Sequence, residues 1–195
     1  MQQTLVWKPW NTPGVETLRL KHDANGIHAT SHLMQVIKGD SIVANYLIDC
    51  DPRWRFRRLW LKVDNHGQRK LCLQRDLRGN WLLNGQPRPD LQNCQHIILS
   101  ASPFTHTPIL QRSALVAGQS QDIQVAYVDM LNLTVEARSK RYHCVQHRTH
   151  ESLYYSQAEG RKDEELCVDD QALLLQISDK YMRLSQQELK LSALA

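Results

Sequence analysis

Turn-forming residues recur at short intervals along this chain: NTPG at 11, DANG at 23, KGD at 38, DNHG at 64, RGN at 78, NGQPRP at 84, AGQSQ at 117 and AEGRKDE at 158. The runs between them alternate with a period of two. In ETLRLKH, Leu18 and Leu20 share one face while Arg19 and Lys21 share the other. SIVANYLIDC, RKLCLQRD, NLTVEARSKRYHCV and ESLYYSQ follow the same rule, and QVAYVDM is apolar on both faces. Strands of this length joined by tight turns argue for an antiparallel sheet built hairpin by hairpin. Asn-Gly suits such turns because it tolerates positive φ.

The run WRFRRLWLKV adds curvature. Trp54 and Phe56 fall on one face, and Leu59, Leu61 and Val63 fall on positions of the same parity only after a slip near Arg57 and Arg58. A bulge there keeps both apolar sets on one side and bends the strand, as a barrel or a roll requires. Two segments read as helical. SPFTHTPILQR has Ser102 as N-cap and Pro103 at the first helical position, and Thr107-Pro108 repeats that start one turn later. The end of the chain, SDKYMRLSQQELKLSALA, has Ser178 as a cap ahead of helix-forming residues.

Composition limits the classes of function. The chain has 195 residues with 42% hydrophobic and 23% charged side chains, a size and balance that suit one globular domain. No apolar run approaches the ~20 residues of a spanning helix. MQQTLVWKPW lacks the basic and apolar regions of a signal peptide, so a cytoplasmic location is expected. The net charge of +4 permits an anionic partner without demanding one. The five cysteines (50, 72, 94, 144 and 167) form no CxxC and read as reduced thiols.

Several motifs have a bland reading beside a functional one. Arg53, Arg55, Arg57 and Arg58 interleave with Trp54, Phe56 and Trp60, a pattern that can bind single-stranded nucleic acid. Alternation alone yields the same pattern as an apolar inner and a solvated outer face. If the sheet curls, Arg57 or Arg58 turns inward and can meet a carboxylate such as Glu16. His143, Cys144, His147 and His150 resemble a zinc set, yet His143 and Cys144 point to opposite faces of a strand. His106, between Thr105 and Thr107, reads as part of a helix start. No GxSxG or GxxxxGK[ST] is present.

Longer blocks resemble a known family. W10-NTPGVETLRL, YLIDCDPRWRFRRLWLKV, GNWLLNGQPRPDLQNCQHIILSASPFTHTPILQR, VAYVDMLNLTVEARSKRYHC and LYYSQ occur in the order found in a bacterial family of glycolipid-binding proteins, over about residues 7 to 184. The Pro-Phe-Thr block is the most specific. The resemblance implies a spiral β-roll, a long antiparallel sheet around one central helix, and a homodimer. It carries over no catalytic residue. The chain departs from the pattern at His96, where Asp is usual, at His106 in place of Asn, and at Gln111 in place of the first Arg of a pair. VDDQALLLQISDKYMRL also lacks the pattern's Gly and Tyr-Pro-Gly.

The expectation is therefore a mainly β protein, an antiparallel spiral β-roll or open barrel around one short helix. Residues 1–184 form one domain and 185–195 a tail. Its function is to bind an amphiphile or glycolipid without catalysis. Trp54, Trp81, Phe104 and Tyr127, with Phe56, line the interior or its mouth. Glu16, Arg57, Thr105, His106, Thr107 and Arg112 hold the polar head. No metal, cofactor or catalytic residue is assigned. The alternatives are a hydrolase or isomerase using Glu16, His106 and Arg57 in one cavity, and a nucleic-acid binder using residues 53–60.

Overall fold

The computed structural model describes residues 2–160 and 162–184. Eight strands form the first wing: β1 (Gln2–Pro9), β2 (Gly14–Asp23), β3 (Gly26–Ile37), β4 (Asp40–Cys50), β5 (Phe56–Asp64), β6 (Gln68–Arg75), β7 (Trp81–Leu83) and β8 (Gln86–Pro87). The second wing holds β9 (His96–Leu99), β10 (Ser120–Asp129), β11 (Thr134–His147), β12 (Glu151–Ala158), β13 (Glu164–Asp169), β14 (Leu174–Ile177) and β15 (Tyr181–Arg183). All fifteen strands belong to one sheet in the order β8-β7-β6-β5-β4-β3-β2-β1-β15-β14-β13-β12-β11-β10-β9. The first and last strands meet in the middle, where β1 pairs with β15. The sheet ends in open edges at β8 and β9 and does not close.

The wings nonetheless fold back on one another. Arg88 donates to the carbonyl of Val135 at 2.8 Å, and Arg69 to that of Leu131. Trp81 donates through Nε1 to the carbonyl of Cys94 at 3.2 Å. These bonds curl the outer strands of the first wing onto the second, giving an open roll around a short helix.

That helix exists because one strand pair is parallel. β9 and β10 run side by side in the same direction, unlike the antiparallel pairs of the remaining ladders. Parallel neighbours cannot be joined by a tight hairpin and need a crossover. The crossover is a 3₁₀ turn over Pro103–His106 that runs into α1 (Thr107–Ser113). Pro103 and Pro108 each open their element, where a missing N–H costs nothing. Phe104, Ile109 and Leu110 are buried and form the packing face. Ser102 does not cap the turn with its hydroxyl, contrary to the sequence reading, because that hydroxyl is engaged with Glu16. Thr107 likewise makes no cap, and its buried Oγ1 has no partner.

The slip in WRFRRLWLKV is a bulge. Asp49 faces Arg58 and Cys50 faces Phe56, so Arg57 is the extra residue. Phe56, Leu59, Leu61 and Val63 are all buried as a result. Trp54 departs from the expected strand. It sits in a turn with φ 60°, and its N–H bonds to the carbonyl of Asp51. The helix expected after Ser178 also does not start as read. Residues 181–183 are β15, and the Ser178 hydroxyl donates to Glu165. Residues 185–195 lie outside the described residues. No described helix is long and apolar enough to cross a membrane.

Gly26 marks the tightest approach of the backbone. A Cβ there would sit 2.2 Å from the carbonyl oxygen of Cys50, and its φ is +141°. Gly39 has nothing within 4 Å. Replacing Gly26 by Ala should cost about 2 kcal/mol or more of unfolding free energy, through steric clash and backbone strain. Gly39→Ala should cost clearly less, and urea unfolding of the two variants measures the difference.

Candidate functional site

A cleft of about 460 Å³ opens on the second wing. Its floor is apolar, from Ile98, Leu99, Val125 and Ile177. Three tyrosines, Tyr127, Tyr155 and Tyr181, stand along it. Its polar lining is balanced in charge. Arg138, Lys140, Lys162 and Lys180 are matched by Asp163, Glu164, Glu165 and Asp179. Most of these are paired: Lys140 to Glu164 at 2.9 Å, Lys180 to the other oxygen of Glu164 at 2.5 Å, and Lys162 to Asp179 at 3.3 Å. Arg138 lies 3.5 Å from the centre of the Tyr127 ring and also pairs with Glu136. Lys140 is further held by the Ser156 hydroxyl.

The helical crossover sends Ser102 and His106 into this cleft. His106 is buried, and its Nδ1 lies 2.9 Å from the Tyr142 hydroxyl. Burial, aided by the charge of Lys140, pushes its pKa down to about 3, so the ring is neutral near pH 7. Burial would raise Glu164, but the positive charges beside it, including Lys140 and Lys180, hold it down at about 2. It stays ionised and fixes both lysines.

Behind Ser102 lies a second polar cluster. Glu16 Oε1 accepts hydrogen bonds from Ser31 (2.8 Å), Tyr46 (2.6 Å) and Ser102 (2.9 Å), while Oε2 has no partner. Burial raises the Glu16 pKa to about 7, against the three hydroxyl donors that lower it. Gln35 donates to the carbonyl of Ala101 at 2.7 Å and accepts from Tyr181 at 3.3 Å. A polar path therefore runs from the cleft wall, through Tyr181 and Ser102, to the inner faces of β2, β3 and β4.

The expected site residues fall into five places. His106 and Tyr127 line the cleft. Glu16 touches it only through Ser102. Trp81, Phe104, Thr105 and Thr107 are packed in the interior, with Trp81 stacked on Phe56 at 5.2 Å and the Thr105 hydroxyl bonded to the backbone of Ser102 and Leu99. Trp54 borders a separate depression of about 220 Å³ with Gln111 and Leu173. Arg57 and Arg112 belong to an arginine cluster that does not line the cleft. Arg57 pairs with Asp51 at 2.8 Å, not with Glu16, because the bulge turns it toward the Asp51 loop. Glu16, His106 and Arg57 thus have separate partners and form no shared constellation. In the basic aromatic strand, Arg58 pairs with Asp49, and Trp60 is exposed with Lys70 over its ring.

The histidines of HCVQHRTH are apart in bonding. His143 pairs with Ser120 and His147 with Ser152. Among the described residues no three His, Cys, Asp or Glu side chains are grouped to hold a metal ion. Burial pushes the Cys50 thiol up to about 12 and the Cys94 thiol to about 11, which keeps both protonated.

Sequence reasoning missed Lys140, Tyr155, Glu164, Lys180 and Tyr181. A signal for the first was present. Lys140 alternates in phase with Tyr142 and Cys144, which point inward, so a charge on that face had to be paired or functional.

The Glu16 cluster has a pH signature. Its folded-state pKa lies above the ordinary 4.5, so protonation favours the folded form. That contribution is complete below about 4.5 and is lost as pH rises through about 7. The Glu16→Gln variant lacks this loss. Its stability relative to wild type should rise by on the order of 3 kcal/mol between pH 4.5 and 8, read from chemical unfolding at each pH. A difference that does not change with pH contradicts the assignment.

A crystal structure of a DUF1089-family protein from Pseudomonas aeruginosa matches with a TM-score of 0.77 and 28% identity, over 90% of this chain and 95% of that one. No curated protein matches the chain significantly. The family model described as "Putative glycolipid-binding" matches residues 4–183. The chain belongs to that family.

Proposed function

We propose that the chain binds, without catalysis, an amphiphile with a neutral sugar-type head group, and that the cleft beside the helical crossover receives the head. One observation carries this reading: the cleft combines three tyrosines and an apolar floor with equal numbers of basic and acidic side chains. Its volume suits a small ligand. A lining of matched charge selects neither an anion nor a cation. It offers many donors and acceptors in fixed positions, which is what a polyhydroxylated ring needs. Tyrosine rings supply flat apolar faces for the C–H faces of a sugar while their hydroxyls bond outward. The floor of Ile98, Leu99, Val125 and Ile177 accepts the first part of an alkyl chain. His106 is neutral and cannot serve as a cationic anchor, which agrees with an uncharged head.

Family membership supports the same class of ligand. The enzymatic alternative finds no support in the separate bonding of Glu16, His106 and Arg57. The nucleic-acid alternative finds little in a strand whose Arg57 and Arg58 are already paired with carboxylates.

Isothermal titration with octyl glucoside below its micellar concentration tests the reading, with decanoate as the charged comparison. Octyl glucoside should bind saturably and more tightly than decanoate. Tyr155→Ala removes a cleft ring that is 37% exposed and should weaken binding about tenfold with folding intact. Absence of saturable binding, or binding unaffected by Tyr155→Ala and Tyr127→Ala, would overturn it.

A further inference from the structure

A different part of the surface gathers positive charge. Arg57 bridges two turns: it pairs with Asp51 at 2.8 Å and reaches the backbone carbonyl of Asp76 at 3.4 Å. Arg55 belongs to the Asp51 turn and Arg75 precedes Asp76. Gln111 lines one depression with Trp54 of the same turn, which brings its neighbour Arg112, at the end of α1, toward the group, and the charges of Arg57, Arg112 and Arg55 all act on Arg75. The charges of four arginines therefore bear on one region, where the β4–β5 turn with the start of β5, the end of β6 and the end of α1 approach one another.

The carboxylates nearby are largely spent on their own loops. Asp51 Oδ1 takes the N–H groups of Arg53 and Arg55, which leaves Oδ2 for Arg57. Asp76 Oδ1 takes the N–H groups of Arg78 and Asn80, and Oδ2 takes the Asn80 amide. Among the described residues neither Arg75 nor Arg112 has a carboxylate partner. Arg75 is held only from its sides. Its guanidinium lies 5.9 Å from the centre of the Trp81 ring, and Gly79 packs so close that a Cβ there would be 3.2 Å from Nη2.

Two polar atoms in this group are buried without a partner. One is Arg75 Nε and the other is Nδ1 of His96. His96 is only 3% exposed and stands at the start of β9. Burial first, then the charges of Arg112 and Arg75, lower its pKa to about 3. The ring is therefore neutral near pH 7 and has one N–H to give. A buried guanidinium N–H and a buried imidazole nitrogen, both unpaired, are costly, and an oxyanion would satisfy the N–H of Arg75 and, in the matching tautomer, that of His96.

We propose that Arg75, Arg112 and His96, with Arg55 and Arg57 at the rim, form a binding site for a phosphate-type oxyanion. Guanidinium forks match phosphate oxygens in pairs, and charge-assisted bonds of this kind are among the strongest available to a surface site. The charge fits as well. Four arginines against Asp51 and Asp76 leave an excess of two positive charges, the complement of a phosphate monoester dianion. The phosphate is either a free ion or the head of a lipid, and the site requires only the phosphate. It stands apart from the cleft, whose lining includes none of these arginines.

Isothermal titration at low ionic strength, with inorganic phosphate in one arm and octyl phosphate in the other, tests this. At least one should bind saturably at one equivalent. Arg112→Gln, at an exposed position, and Arg75→Gln should each weaken binding about tenfold. His96→Asp places a carboxylate among the guanidinium groups and should weaken it more than about a hundredfold, because the site then carries its own anion. Tyr155→Ala should bind as wild type does. Equal uptake of both probes assigns the site to phosphate itself, and uptake of octyl phosphate alone assigns it to a lipid-like phosphate. The proposal is overturned if neither probe binds saturably, or if both arginine variants bind like wild type. Loss of binding in Tyr155→Ala but not in the arginine variants would also overturn it, by moving the anion to the cleft.

Discussion

A single buried carboxylate oxygen holds the central crossover to the sheet. Glu16 Oε1 accepts from Ser31 on β3, Tyr46 on β4 and Ser102 at the start of the 3₁₀ turn. The first two bonds lie within the first wing, and the third reaches into the segment that joins β9 to β10. Beside it, Gln35 of β3 holds the carbonyl of Ala101 and meets Tyr181 of β15. Apolar packing alone does not specify how a short helix sits inside a roll, since Phe104, Ile109 and Leu110 would tolerate small shifts. Directional bonds to buried acceptors set one position, because any shift leaves polar groups unpaired in the interior.

Everything near the cleft follows from that position. The crossover presents Ser102 and His106 to the cleft, and His106 meets Tyr142 on β11. The lysines of β11 and of the turn before β15 then share Glu164 at the start of β13. The crossover also contributes to both apolar clusters. Phe104 joins a cluster made of the first wing's core together with Ile97, Leu99, Ala126 and Val128 of the second, and Ile109 and Leu110 join a cluster of the second wing alone. The crossover is thus the wedge between two cores, and the cleft lies on the side facing the second.

Local chemistry made some of this legible in the sequence. Two Thr/Ser-Pro starts predict a helix begun in two steps, and both steps are present because proline acts on its own backbone. The phase slip at Arg57 predicts the bulge because burial of Phe56 and Leu59 on one side permits nothing else. What was not legible depends on distant pairing. The parallel register of β9 and β10 and the strand formed by Tyr181–Arg183 both depend on partners far along the chain. Helix-forming residues at 181–183 yield to β1, an example of tertiary pairing overriding propensity. Of the hydroxyls read as caps, that of Ser102 serves Glu16 and that of Ser178 serves Glu165, and the partner of Arg57 is a nearby aspartate rather than Glu16. The cleft escaped for the same reason: its charges come from separate strands and turns, and apart from Lys140, whose inward phase was a signal, each looks like an ordinary surface residue on its own.

The account rests on the cleft as the place where an amphiphile's head is held. A crystal structure of the chain soaked with octyl glucoside tests that directly. The account predicts the sugar ring between Tyr127, Tyr155 and Tyr181, with its hydroxyls on the Lys140–Glu164–Lys180 group and its chain toward Ile98 and Val125. An empty cleft at full occupancy of the detergent elsewhere on the protein would contradict it.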